Sequence, residues 1–162
     1  MLINFLGVIA GFAIFIHSII YSKQTGNIAK IKFTLLSGLC ALIAIISWFL
    51  NFGWLRFFMT FLAIPTIHTI AFLFINDLAL TYIDKSAGIK RYSVLSYITY
   101  LAGYIFLPDG GDTGSYAFFG LIHNNTLIEI SFIISSCSFI LNAIILVLQI
   151  IERIKIKKTQ SF

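Results

Sequence analysis

Apolar residues fall in long unbroken runs along this chain, and polar residues collect between the runs instead of alternating with them. The first run, Leu2 to Ile20, has only Asn4, His17 and Ser18 as interior polar groups. A helix needs about 20 apolar residues to cross a bilayer, so this run is the first predicted span. Gly26 and Asn27 break the pattern within the segment Lys23 to Lys32, and Phe33 to Leu50 follows as a second span. Asn51, Gly53 and Arg56 form a short connection to a third run, Phe57 to Ile75, which contains Pro65 and His68. Polarity rises from Asn76 to Arg91, which reads as a connecting loop whose first half is also able to prolong the third helix.

Tyr92 to Leu107 is the weakest run. Its 16 residues reach roughly 24 Å at 1.5 Å per residue, against a hydrocarbon core of about 30 Å. Snorkelling of Lys90 and Arg91, or local thinning of the bilayer, is expected to close that gap. Pro108 to Leu127 is a glycine-rich loop, Ile128 to Ile151 a long final run, and Arg153 to Lys158 a basic tail. The expected fold is therefore all-α: a single polytopic membrane domain over residues 1–162, with spans at 2–20, 33–50, 57–75, 92–107 and 128–151. A cleaved signal peptide is the competing reading of the first run. No cation precedes it and no small-residue cleavage site follows it, so the segment is expected to stay.

Charge orients the map. With five spans, ten of the eleven Lys and Arg lie on one side and only Arg56 on the other. Cations of short loops stay in the cytoplasm, so the amino terminus is expected outside and the carboxyl terminus inside. Trp48, Trp54, Tyr21 and Tyr92 fall near run boundaries, where aromatic belts form. Composition agrees with a lipid solvent: 59% hydrophobic, 16% aromatic, 10% charged, with a mean hydropathy of +0.99. Soluble domains carry about 25% charged residues. The Ile-rich, Lys-preferring usage suggests an AT-rich bacterial genome, so the inner membrane is the expected location.

The net charge of +5 sits in loop clusters without interleaved aromatics, which argues against a nucleic-acid partner. Cys40 and Cys137 lack the paired spacing of a zinc site or disulfide scaffold and read as small packing residues. HExxH, GxSxG and phosphate-loop motifs are absent from the sequence, so an enzyme is not expected and no cofactor is assigned.

Candidate chemistry lies in two places. Inside the spans, Ser131, Ser135, Ser138, Asn142 and Gln149 recur at spacings of four, three, four and seven, which puts them on one helical stripe. That stripe must face protein. Helix packing is one use, and a polar pathway with Asn142 near its middle is the other. Gly7 with Gly11, and Ser37 with Ala41 and Ala44, form further small-residue seams for packing within the chain. His17 and His68 fall at similar depths on parallel spans, a spacing that permits paired ligation of a haem. Pro65 is expected to kink the third helix, with Thr66 and Thr69 able to satisfy the freed backbone.

On the outer side, Asp109, Asp112 and Glu129 carry the acidic groups and Arg56 the lone cation. Turn chemistry explains the Asp and Gly residues after Pro108. Hard-cation binding is the alternative, although the loop lacks the EF-hand ligand series. An ion pair from Arg56 to Asp109, Asp112 or Glu129 is expected as a clamp.

Three functions remain open from sequence. The leading one is a non-enzymatic membrane protein acting in the bilayer through another membrane protein or a ligand of the external loop. The second is a small transporter using the polar stripe, joined by His68. The third is a haem- or quinone-linked redox subunit.

Overall fold

The apolar runs all become helix, and polar caps decide where two of the helices begin. The computed structural model describes residues 2–111 and 114–159. Helix α1 spans Leu2–Gln24 and α2 spans Ile28–Leu50. Asn27 caps α2 by accepting from the Lys30 amide at 2.6 Å. This places Lys30 and Lys32 inside the helix, not in the loop that their charge suggested. The same correction applies later in the chain, where Ser86 Oγ accepts from the Gly88 and Ile89 amides and starts helix α5 at Ala87–Phe106. Lys90 and Arg91 are helical, and the run that looked 16 residues long is a helix of 20, about 30 Å at 1.5 Å per residue.

The third span is also corrected. Helix α3 (Trp54–Phe61) and helix α4 (Ile64–Leu80) replace the single run 57–75 and meet at a 67° bend. The break lies at Leu62 and Ala63, and Ala63 takes a left-handed conformation with φ 57°. Pro65 therefore sits in the first turn of α4, where a missing amide hydrogen needs no partner, and does not kink a helix interior. At its other end α4 continues through Asn76 and Asp77 to Leu80.

After α5, the strands β1 (Asp109–Gly111) and β2 (Gly114–Tyr116) pair antiparallel with Asp109 opposite Tyr116. Helix α6, Asn125–Thr159, has 35 residues and reaches roughly 52 Å at the helical rise. It carries the basic tail as its last turns and overruns the expected span 128–151 at both ends.

Long-range contacts order these elements into one bundle. Asn4 bonds to Thr60 and Thr66, Ser47 to the Tyr104 carbonyl, and Gly53 to Asp109, so these segments gather at one end with the hairpin. Ser86 bonds to Glu152, and Lys30 pairs with Asp77, at the other end. The hairpin end holds Arg56, and the opposite, basic end holds Lys23, Lys30, Lys32, Lys85, Lys90, Arg91 and the tail cations. Helices α1, α4 and α6 run from the hairpin end to the basic end, and α2 and α5 run back.

Helix α5 is packed by α2, α4 and α6. Its Tyr97, Tyr100 and Tyr104 are buried beside Phe72 and Trp48 in the main apolar cluster. The bundle is apolar outside and carries many polar groups inside: Ser, Asn, Gln and Tyr are buried beside the apolar cluster, whereas Leu, Ile and Phe of α1, α2 and α6 are exposed. That inversion is expected where the surrounding solvent is hydrocarbon. Helices α1, α2 and α6 are long and apolar enough to cross a membrane, and the bent α3–α4 pair brings the number to as many as four.

Candidate functional site

The polar interior forms a column along α5. At the hairpin end lies Arg56, whose side chain is fully buried. Its Nη1 donates to the Ser47 carbonyl at 2.7 Å, and its Nη2 to the carbonyls of Tyr104 and Leu107 at 3.2 and 2.6 Å. These oxygens lie at the C-terminal ends of α2 and α5, where the helix dipole is negative, and the Ser47 oxygen also accepts from the Asn51 amide. The guanidinium also lies 5.0 Å over the Trp48 ring. Asp109 complements it by capping α3: the carboxylate accepts from the amides of Gly53, Leu55 and Arg56 at 2.8–3.0 Å. The Gly110 amide donates to it as well, at 2.7 Å. The expected clamp of Arg56 with Asp109 is present, but at 3.9 Å between Nε and Oδ2. Each charge is held mainly by backbone groups. Glu129 is exposed on α6 and does not take part, and Asp112 lies outside the described residues.

Glycine is required at position 53. A Cβ there would sit 2.5 Å from the Gly110 carbonyl oxygen and 2.7 Å from the Asp109 carboxylate.

Midway along the column is His68, near the start of α4. Its Nε2 lies 3.1 Å from Asn142 Oδ1 and its Nδ1 lies 3.0 Å from the Tyr104 hydroxyl. Tyr100 and Tyr104 of α5 and Phe139 of α6 surround the ring. The Asn142 amide donates to the Ser96 carbonyl and to Thr99 Oγ1, at 2.8 and 3.0 Å. Those two bonds fix which side of the amide faces His68: the oxygen. Nε2 must therefore carry the proton, and in the neutral ring Nδ1 accepts from Tyr104. Tyr104 has a second acceptor in the Pro65 carbonyl at 3.3 Å. Thr69 also donates to that carbonyl and lies 2.8 Å from the Tyr100 hydroxyl.

Nearer the basic end, Gln149 Nε2 donates to Asn76 Oδ1 and to Ser93 Oγ, and Ser96 donates to the same Asn76 oxygen. The stripe of Ser131, Ser135, Ser138, Asn142 and Gln149 is thus buried along its whole length, as its spacing implied. Ser135 donates to the Gly103 carbonyl at 2.7 Å.

His17 does not join this site. The contacts of Gly7 with Thr66 and Ile70, and of Gly11 with Leu73, set the register of α1 on α4. His68 is level with the first turns of α1, about eleven residues or roughly 16 Å from His17 at the helical rise. His17 is exposed and stacked on Tyr21, so the two histidines offer no common ligand site. The similar-depth estimate failed because the chain between Trp54 and Phe61 lies across the bundle end and adds little depth.

Sequence reasoning missed a second ion pair, between a buried lysine and a half-buried aspartate. Lys30 Nζ of α2 meets Asp77 Oδ1 of α4 at 2.9 Å, with Thr81 as a further acceptor and the Tyr21 ring at 4.8 Å. Beside it a recess of about 10 Å³ is lined by Ser18, Thr34, Ser37 and Asp77 together with Ile14, Phe15 and Leu73, room for about one water. Cys40 is buried as expected, but Cys137 is exposed on α6. Trp48 is buried and donates to Thr60, so it is no belt residue. Among the described residues no group of three or more His, Cys, Asp or Glu is placed to hold a metal.

Comparisons with protein-family models, with curated proteins and with solved structures found no match to this chain. Function therefore rests on the site alone.

Proposed function

We propose that the chain crosses a bacterial inner membrane five times, hairpin end outside, and works as a small proton carrier with His68 as its proton-binding group. The observation that carries this reading is the double hydrogen bonding of His68, which suits both of its protonation states. In the neutral ring, Tyr104 donates to Nδ1. When Nδ1 gains a proton, it becomes the donor, and the Tyr104 hydrogen turns to the Pro65 carbonyl already 3.3 Å away. No polar group is stranded in either state, so the desolvation penalty of an unmade bond is avoided. Pro65 lies next to the α3–α4 break, so the proton's arrival changes a bond at the 67° bend between these helices. An ionisable side chain inside a membrane bundle is by default a functional candidate.

The length and packing of α5 support five crossings. The helix is long enough, at 20 residues, and its polarity is explained by burial against protein on several sides. The segregation of cations to one end supports the orientation.

The test uses purified protein in vesicles loaded with a pH-sensitive dye, with a potassium-diffusion potential imposed. The reading expects proton entry above that of empty vesicles, lost in His68→Gln and reduced in Tyr104→Phe. Entry equal to empty vesicles, or unchanged in both variants, contradicts it.

A second reading is favoured by a specific observation. Neither described cavity is lined by His68. On that reading the column is packing, and the protein acts through another membrane protein. Replacement of the exposed positions Leu121 and His123 would then abolish function while His68→Gln would not.

A further inference from the structure

At the basic end, a groove of about 320 Å³ opens between the start of α2, the α4–α5 connection and the first turns of α5. Ile28, Phe33 and the buried Ile83 give it an apolar wall, and Lys32, Asp84 and Lys90 are its charged lining. The three charged residues are exposed, and neither lysine side chain has a hydrogen bond or ion pair among the described residues. Lys30, one half-turn from Lys32, shows the contrast: it is buried and fully engaged with Asp77 and Thr81. The groove sits where the apolar surfaces of α1 and α2 end and where Tyr21, Tyr82 and Tyr92 collect, the level at which a bilayer's headgroups lie.

We propose that this groove binds the headgroup of an anionic glycerophospholipid bearing free hydroxyls, of the phosphatidylglycerol type. The phosphodiester accepts from the ammonium groups of Lys32 and Lys90, the glycerol hydroxyls donate to the Asp84 carboxylate, and an acyl chain lies along Ile28 and Phe33. The charge balance selects this occupant, because two lysines and one aspartate leave a single positive charge for a single phosphodiester. The apolar wall selects a lipid over a soluble phosphate, which would leave Ile28 and Phe33 uncovered. Basic pockets between helices at a membrane's cytoplasmic face are suited to such headgroups. The inference needs the basic end to lie at a membrane surface and is independent of proton transfer at His68.

The test is native mass spectrometry of the full chain released from detergent after incubation with phosphatidylglycerol, phosphatidylethanolamine or phosphatidylcholine. Phosphatidylglycerol is expected to be retained about thirtyfold more than phosphatidylcholine, the effect of roughly two surface cations on an anionic lipid. In Lys32→Gln/Lys90→Gln the preference falls to about twofold or less, as expected when both cations are lost. A control variant, Lys155→Gln/Lys157→Gln, removes the same charge from the α6 tail and keeps the preference. Thermal unfolding of each variant in detergent confirms that it is folded. Equal retention of the three lipids, equal loss in the control variant, or complete displacement of phosphatidylglycerol by millimolar inorganic phosphate would each overturn the proposal.

Discussion

Two ion pairs, one buried and one half-buried, mark the two ends of this bundle, and they are built in opposite ways. At the hairpin end, Arg56 and Asp109 stand 3.9 Å apart, and each is satisfied by backbone: carbonyls closing α2 and α5 for the cation, amides opening α3 for the anion. At the basic end, Lys30 and Asp77 touch directly at 2.9 Å and have few other partners. The first pair is a set of helix caps that happen to be charged. The second is a pair in the ordinary sense, in which each charge depends on the other. The difference teaches that distance between opposite charges does not measure how much a fold relies on them, because the dipoles of helix ends can solvate an ion as well as a counter-ion does.

Double-mutant analysis of unfolding in detergent would break or sharpen that contrast. Arg56→Met is expected to cost about 3–5 kcal/mol, the range for stranding a buried partner, and Asp109→Ala about as much. The double variant recovers little, because the abandoned partners are backbone groups that neither substitution removes. A coupling energy above about 2 kcal/mol, within the range seen for contacting residues, would show that the two side chains depend on each other after all. Lys30→Met or Asp77→Leu alone is expected to cost about 3 kcal/mol, with the double variant close to wild type, since apolar replacement of a whole buried pair is often neutral. If the double variant is as unstable as either single one, Lys30 and Asp77 are not the self-contained pair described.

Smaller effects follow. Gly53→Ala forces a methyl group against Asp109 and Gly110, and is expected to destabilise by about 1–3 kcal/mol, as overpacking does. No equivalent glycine supports the Lys30–Asp77 pair, so Gly26→Ala, in an open turn with φ 66°, should cost about 1 kcal/mol through backbone strain only. Asn142→Ala removes the group that sets the His68 tautomer. It is expected to cost about 1–2 kcal/mol in stability, typical of a lost buried hydrogen bond, and to shift the nitrogen resonances of His68 towards tautomer averaging. Unchanged resonances would mean that Asn142 does not orient the ring.

The legible parts of the structure were those in which one-dimensional spacing carries the information. The α6 stripe is periodic, so its burial followed from counting. Gly7 and Gly11 lie on one face of α1 and pack on α4 for the same reason. The Arg56–Asp109 association was readable because Arg56 is the lone cation near that loop, although scarcity of charge could not reveal that backbone groups hold both ions. Other features depended on three-dimensional compensation. Lys30, Lys90 and Arg91 read as loop residues because charge is costly in a span, yet capping by Asn27 and Ser86 brings them into helices, and Asp77 lies where α4 continues past the expected end of the third run. The break at Ala63 escaped because alanine gives no turn signal, and Pro65 drew the bend to the wrong place. That misplaced bend displaced His68 in depth and created the apparent match with His17.

The central claim is that α5, polar as it is, crosses the membrane and puts the hairpin end and the basic end on opposite faces. Replacing Cys40 and Cys137 by serine and introducing either Asp84→Cys or Leu121→Cys, which flank α5 on either side, gives the most direct test in intact cells. With an impermeant maleimide, the account predicts labelling at position 121 and none at position 84 until the membrane is opened. Equal access of the reagent to both positions from outside would contradict it.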